Sequence, residues 1–243
     1  MRKLTEYFFV NISGISNMQA VNFNAEVFQN PGKLINKSPI KKFLKRAFDI
    51  VFSALVIVFI LSWVSLIIFV LNLFFSRGPL FFIQDRIGKD NKIFPCIKFR
   101  SMHAHLSKNH SDYVATTIDD NRISKLGKYL RKFNIDELPQ FINVFLGQMS
   151  VVGPRPHALA WNDKYLQYVN NINLRHLIKP GVTGLSQING LRGDVADEDE
   201  NRRRVTKRFE LDLWYIENWS FWLDIQIIIL TAWITLKGDR HAC

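Results

Sequence analysis

From Ile50 to Phe75 the chain reads IVFSALVIVFILSWVSLIIFVLNLFF, without one charged side chain. A helix on the surface of a globular protein shows one apolar stripe; this segment is apolar on every side. As a helix it would run about 39 Å, against a hydrocarbon core of roughly 30 Å. A soluble core helix is seldom apolar all round for that length, so the pattern predicts a membrane segment. Ser62 and Ser65 lie near its middle, and it contains no proline. Hydroxyls that bond back to helix carbonyls are then the available means of bending it.

Shorter patterns follow. Leu80–Gln84 and Ile93–Lys98, separated by DRIGKDNK, predict two short strands or extended segments joined by a loop. In NRISKLGKYLRKF, Ile123, Leu126, Leu130 and Phe133 share one helical face, with Lys125, Lys128, Arg131 and Lys132 on the other sides. Leu138–Leu146 and residues 161–178 predict further helices, the first of them apolar. Asp197–Asn218 predicts a charged helix with Val205, Phe209, Leu213 and Ile216 as its apolar stripe. The stretch WSFWLDIQIIILTAWITL is interrupted by Asp224, which argues for a short, surface-lying element. Trp214, Tyr215, Trp219, Trp222 and Trp233 are expected to dock it at headgroup level.

The expected fold class is α+β, mostly helical: a membrane-embedded re-entrant helix plus a small cytoplasmic domain with interfacial amphipathic helices. The expected divisions are a poorly ordered or peripheral lead-in (1–40), a basic flank with the membrane helix (41–76), and the cytoplasmic domain (77–243).

Charge sharpens the membrane reading. The 243-residue chain is 48% hydrophobic yet carries a formal charge of +11, a combination suited to an anionic membrane face. Lys37, Lys41, Lys42, Lys45 and Arg46 precede the apolar segment, and Arg77, Arg86, Lys89 and Lys92 follow it. Basic flanks stay cytoplasmic. A simple span would put one flank on the wrong side, whereas a helix that turns back keeps both. Lysine and arginine are spread over flanks and helices with no base-reading motif, so no nucleic-acid partner is expected. Two cysteines make no disulfide framework.

The candidate chemistry centres on Asp136-Glu137. Asn134 and Glu137 have capping-box spacing, and Pro139 fits an early helical position, so a helix start is one reading. The other is functional. Helix starts attract phosphate, carboxylates bind Mg²⁺, and a carboxylate can form an acyl phosphate. Arg131 lies one turn earlier, and guanidinium pairs with phosphate in a bidentate fork. Pro154-Arg155-Pro156 stiffens the backbone around a second guanidinium. His103, His105 and His110 match no zinc spacing and read as a polar loop. KPGVTGLSQINGLRG carries no nucleotide fingerprint; as a loop beside a phosphate, its N–H groups could line an anion site.

The blocks KRAFDI, GPLFFIQDRIG, KFRSM, DELPQFINVFLGQMSVVGPRP, KPGVTGLSQINGLRG and DLWYIENWSFWLDIQIIILT, in this order, resemble the bacterial sugar transferase family, the monotopic polyprenyl-phosphate phosphoglycosyl transferases of short form. The resemblance implies that Asp136 attacks the β-phosphate of a UDP-sugar, releases UMP and forms a covalent phosphosugar enzyme. Undecaprenyl phosphate then takes the phosphosugar. Glu137 matches the second acid, serving Mg²⁺ coordination or acid–base help. Arg131, Pro154, Arg155 and Pro156, together with Lys98, Arg100 and Arg192, form the expected substrate-binding set. The implied setting is the bacterial inner membrane, with membrane lipid as a partner and a homodimer left open. The family's helix carries Ser-Pro at its bend where this chain has Ser62-Trp63. The sugar is expected to be a hexose, glucose or galactose.

Overall fold

The computed structural model describes residues 38–75, 78–103, 120–195 and 197–238. The lead-in up to residue 37, and His105 and His110, lie outside the described residues.

The apolar segment belongs to a longer helix than its hydrophobic pattern predicts. Helix α1 (Pro39–Val56) opens on a proline in its first turn, where a missing N–H leaves no bond unmade. A π turn (Ile57–Leu61) follows, and α2 (Ser62–Phe75) completes the run. In its most apolar window only 17% is buried, whereas a soluble core helix would be mostly covered. Length and composition are compatible with membrane association.

The π turn has a geometric consequence. Asp49, Ser53 and Val56 are buried on one face of α1, and Leu61, Ile68 and Asn72 are buried beyond the turn. A regular helix would carry the stripe from Val56 to Ile60, yet Ile60 is exposed and Leu61 takes its place. The wider turn takes up one extra residue and returns the stripe to the same side. The Ser62 hydroxyl donates to the Val58 carbonyl at 2.5 Å, the back-bond expected of a hydroxyl at this break. Leu61 and Ile68 then pack with Phe99 and Leu130, so α2 lies against the domain.

KRAFD docks α1. Lys45 Nζ sits 2.7 Å from the Asp224 carboxylate. Arg46 donates to the Val144 and Phe145 carbonyls at 2.7 and 2.8 Å. Asp49 accepts from Ser150 Oγ and the Val151 N–H, both at 3.0 Å.

Strands β1 (Phe81–Ile87) and β2 (Ile93–Phe99) pair antiparallel, with Phe81 opposite Phe99. Helix α3 (Lys125–Lys132) is capped by Ser124, whose hydroxyl accepts from the Gly127 N–H at 2.9 Å. Helix α4 (Gln140–Phe145) leads to β3 (Ser150–Val152), which pairs in parallel with β4 (Gly181–Thr183). A Cβ on Gly181 would lie 2.1 Å from the Gly153 nitrogen, so only glycine permits this approach. The glycine-rich stretch is therefore ordered as β4 and the short α6 (Leu185–Ile188). Gly181 and Gly190 donate their N–H groups to Pro154 and Gln187 carbonyls, which removes them from the anion site expected of a loop.

Two other expectations change. Residues 161–178 are not one helix: α5 (Asn162–Tyr168) ends where β-branched Val169 turns extended (φ −142°), and a 3₁₀ turn spans Ile172–Leu177. The C-terminal stretch is one regular helix, α8 (Phe221–Lys237), and Asp224 does not interrupt it. The Asp224 side chain turns inward and accepts from Tyr215 Oη at 2.7 Å and Trp219 Nε1 at 3.0 Å. Tyr215 is core, and Trp214 and Trp219 pack against that core. Only Trp222 and Trp233 of the five expected anchors are substantially exposed. Helix α7 (Glu198–Asn218) buries Val205, Phe209, Leu213 and Ile216, as its stripe predicts.

Candidate active site

Asp136 and Glu137 sit in a 3₁₀ turn (Ile135–Glu137) between α3 and α4, and both are buried. The capping-box reading fails. Asn134 is left-handed (φ 52°) and makes no cap bond. Its Oδ1 accepts from Arg192 instead, and its Nδ2 reaches Thr235 Oγ1. Helix α4 begins only at Gln140 and is six residues long, too short for a helix dipole to hold phosphate. The positive charge at this site comes from side chains.

Three elements supply it. Strand β2 carries Lys98, whose ammonium lies 3.0 Å from Glu137 Oε1. The segment after β3 carries Arg155, which grips the same carboxylate with Nη2–Oε1 at 2.6 Å and Nη1–Oε2 at 3.1 Å. Arg131, in the last turn of α3, donates through Nε to Ser101 Oγ at 2.9 Å. A Cβ on Gly127 would lie 1.9 Å from the Ser101 carbonyl oxygen, so glycine is what lets α3 bring Arg131 to this point.

The Pro-Arg-Pro segment is held by its carbonyls. Pro154 O accepts from Gly181 N at 2.9 Å, Arg155 O from Arg175 Nη2 at 2.7 Å, and Pro156 O from Arg86 Nη1 at 3.1 Å. With both prolines fixing φ, the Arg155 guanidinium is presented from a stiff strap. Arg175, itself buried, is paired to Asp212 at 2.6 Å.

The two carboxylates differ. Burial alone would raise Glu137, but the Arg155 and Lys98 cations outweigh it and hold the group well below the ordinary carboxylate range. Arg192 adds to that pull. Burial raises Asp136, the Glu137 charge raises it further, and Lys98, Arg131 and Arg155 offset only part of this. Asp136 accepts no hydrogen bond among the described residues. One carboxylate is fully clamped and its neighbour is desolvated and unpaired, a pairing of environments that separates two acids into two roles.

Of the expected site residues, Asp136, Glu137, Lys98, Arg131, Arg155 and Arg192 converge; Pro154 and Pro156 shape the strap. Arg100 does not join them. Its guanidinium donates to the Pro79 carbonyl at 3.1 Å and lies over the Phe82 ring, because the end of β2 turns there toward the start of β1. Ser101, Asn134 and Arg175 are positioning partners that the sequence pattern did not single out. Ser101 lay inside the KFRSM block, Asn134 carried only the spacing of a capping box, and Arg175 carried no signal.

Among the described residues no group of three or more His, Cys, Asp or Glu side chains is poised for a metal ion. Mg²⁺ needs fewer: it takes one or two carboxylates and completes its shell with water and substrate phosphate. Two adjacent buried carboxylates, one without a partner, fit that donor set.

A family model described as bacterial sugar transferase matches residues 40–238. The UDP-glucose:undecaprenyl-phosphate glucose-1-phosphate transferase of Klebsiella pneumoniae is 46% identical over 188 residues, covering 77% of this chain and 39% of that protein. The UDP-N-acetylgalactosamine-undecaprenyl-phosphate N-acetylgalactosaminephosphotransferase of Aeromonas hydrophila is 39% identical over 201 residues, covering 83% of this chain and 45% of that protein. The chain thus spans less than half the length of either. The exopolysaccharide production protein PSS of Rhizobium leguminosarum bv. phaseoli is 42% identical over 192 residues, covering 78% of this chain and 93% of that protein.

Proposed function

The chain belongs to the bacterial sugar transferase family, and on that premise we propose that it transfers a hexose 1-phosphate from a UDP-hexose to undecaprenyl phosphate, releasing UMP. The observation that carries this reading is the asymmetry of the acidic pair: Glu137 is clamped by Arg155 and Lys98, and Asp136 is desolvated and unpaired.

An Asp136 oxygen attacks the phosphorus that bears the sugar. The new bond is carboxylate oxygen to phosphorus; the broken bond joins that phosphorus to the oxygen leading to UMP, which leaves with the electron pair. A phosphate oxygen of undecaprenyl phosphate then attacks the same phosphorus, and Asp136 departs as carboxylate. The products are a lipid diphosphosugar and regenerated enzyme. A nucleophile without hydrogen bonds has no partner to shed before attack. Arg131, Arg155, Lys98 and Arg192 surround the place where phosphate charge must be met, and pre-placed cations need no reorganisation as charge moves. Glu137, with Asp136 beside it, would hold Mg²⁺, which neutralises diphosphate charge when bound.

Names of relatives differ in the sugar, glucose for the Klebsiella protein and N-acetylgalactosamine for the Aeromonas protein. We favour a hexose on the GLSQINGLRG block. The domain lies on the cytoplasmic face of the inner membrane with α1 and α2 re-entrant. This orientation is supported by two basic flanks and by α2 packing back on α3 through Ile68 and Leu130; a spanning helix would leave the domain at its midpoint.

The test is UMP release from protein in nanodiscs given Mg²⁺ and UDP-glucose, UDP-galactose or UDP-N-acetylgalactosamine, with and without undecaprenyl phosphate. Lipid-dependent UMP from one donor supports the reaction and identifies the sugar. No UMP from any donor in folded protein favours a non-catalytic component of a polysaccharide assembly complex.

A further inference from the structure

A second cluster of cations lies away from the acidic pair. A cavity of about 340 Å³ opens beside the first turns of α1, with Lys42, Lys45, Arg46, Lys89 and Lys179 in its wall. It shares no residue with the acidic pair or its cations. The carboxylates nearby are engaged: Asp49 by Ser150 and Val151, Asp224 by Lys45, Tyr215 and Trp219. Lys179, half-buried, has no ion pair or side-chain hydrogen bond among the described residues. The point a Cβ on Gly147 would occupy is 3.2 Å from Arg46 Nη2 and 3.5 Å from Lys179 Nζ, so two like charges meet there, and Asp49 in the same wall offsets only part of their repulsion. Burial, then the Arg46 charge, pushes the Lys179 ammonium down from its usual value. A cluster of this kind is destabilising unless an anion completes it.

The rest of the wall says which anion. Val152, Leu177, Ile216 and Trp219 give the cavity an apolar side. Ile40, Phe43 and Leu44 are exposed on the same turns of α1 that supply Lys42, so apolar surface runs up to the cation cluster. Phosphate attached to a hydrocarbon chain suits both halves of the wall; free phosphate suits one.

We propose that this cavity binds the phosphate of an anionic membrane phospholipid, at a site separate from the catalytic centre, and so fixes the start of the membrane helix at headgroup level. The inference uses the reading of α1 and α2 as membrane-embedded, and does not depend on the reaction. Lys42, Lys179 and Arg46 would meet the phosphate, and the first acyl carbons would lie on the apolar wall.

The test uses full-length protein in neutral detergent and dihexanoyl phosphatidylglycerol below its micelle concentration, read by Tm. A saturable rise in Tm is expected, absent with dihexanoyl phosphatidylcholine, with an apparent affinity about tenfold weaker in K42Q/K179Q. K42R/K179R should retain the response, which separates lost charge from lost folding. An equal rise with inorganic phosphate would overturn the lipid assignment, leaving a simple anion site. An equal or larger K42Q/K179Q-sensitive rise with a short polyprenyl phosphate would make this the acceptor's pocket and overturn the separateness. No difference between the two phosphatidyl lipids, or an unchanged response in K42Q/K179Q, would overturn the proposal outright. UMP release by K42Q/K179Q in the same detergent keeps its failure distinct from failure of the catalytic reading.

Discussion

Arg155 holds Glu137 with two parallel bonds, Nη2–Oε1 at 2.6 Å and Nη1–Oε2 at 3.1 Å, while Asp136 next to it has no such partner. The bidentate geometry belongs to a planar guanidinium, and an ammonium cannot reproduce it. Arg155→Lys is expected to lower kcat/KM for UMP release about 10²-fold, a loss of roughly 2–3 kcal/mol for a charge-assisted pair. Steady-state kinetics on folded variant protein check this; near-normal turnover in Arg155→Lys contradicts it.

Asp136→Asn should abolish turnover and raise stability. Burial and Glu137 hold the Asp136 pKa above its unfolded value, so its ionised form is destabilising once pH exceeds the unfolded pKa. The variant's gain in Tm should be present near neutral pH and vanish in acid, where Asp136 is protonated in both states. Melting curves near pH 7 and near pH 3 measure it, and a lower Tm than wild type at neutral pH contradicts it.

The pH profile follows with the opposite sign for Glu137. Its pKa is held well below the unfolded value, so its stabilising ion pairs are complete above the unfolded carboxylate pKa and fade as pH falls through the folded one. Activity should fail at higher pH than the ion pairs do, because it needs ionised Asp136. The acid limb of kcat/KM, which reports the free enzyme, should therefore lie above the ordinary aspartate value, with the fold still intact by circular dichroism at that pH. Simultaneous loss of activity and fold would contradict this.

Lys45 and Asp224 tie helix α1 to α8 across a buried 2.7 Å pair. Removing one partner leaves a buried charge, so Asp224→Ala and Lys45→Met should each cost about 3–5 kcal/mol. The double substitution should cost less than their sum. Thermal or denaturant unfolding of the four proteins in one detergent gives the coupling; strict additivity would mean the pair is not coupled.

The π turn can be tested by register. Inserting one alanine after Ile60 adds a second extra residue, about 100° of rotation, which the π turn does not take up, and swings Ile68 away from Phe99 and Leu130. Loss of folded protein is expected. Ser62→Ala removes only the 2.5 Å back-bond and should cost about 1 kcal/mol. Equal tolerance of both changes would show that the stripe carries no packing.

Much of this molecule was legible in its residue pattern. The period of α7, the hairpin of β1 and β2, and the acidic pair with Arg131 and Arg155 follow from side-chain periodicity and charge. Three things did not. The buried stripe of α1 and α2 was hidden because every face is apolar, so periodicity carries no signal there. Asp224 looked like an interruption because its donors, Lys45 and Tyr215, come from distant or separate elements. The Asn134–Glu137 spacing matched a capping box, but Asn134 turned left-handed to meet Arg192 and Thr235. Arg100 lies apart from the acidic pair for a related reason: the turn at the end of β2 aims it at Pro79.

The most direct measurement is intact-protein mass spectrometry after mixing enzyme with Mg²⁺ and the active UDP-sugar, without lipid acceptor. A mass gain of one phosphosugar, with UMP in equal amount, mapped to Asp136, absent in Asp136→Asn and discharged by undecaprenyl phosphate, is the expected result. Full lipid-dependent turnover with no adduct on rapid quench, or an adduct on another residue, would contradict the nucleophilic role of Asp136.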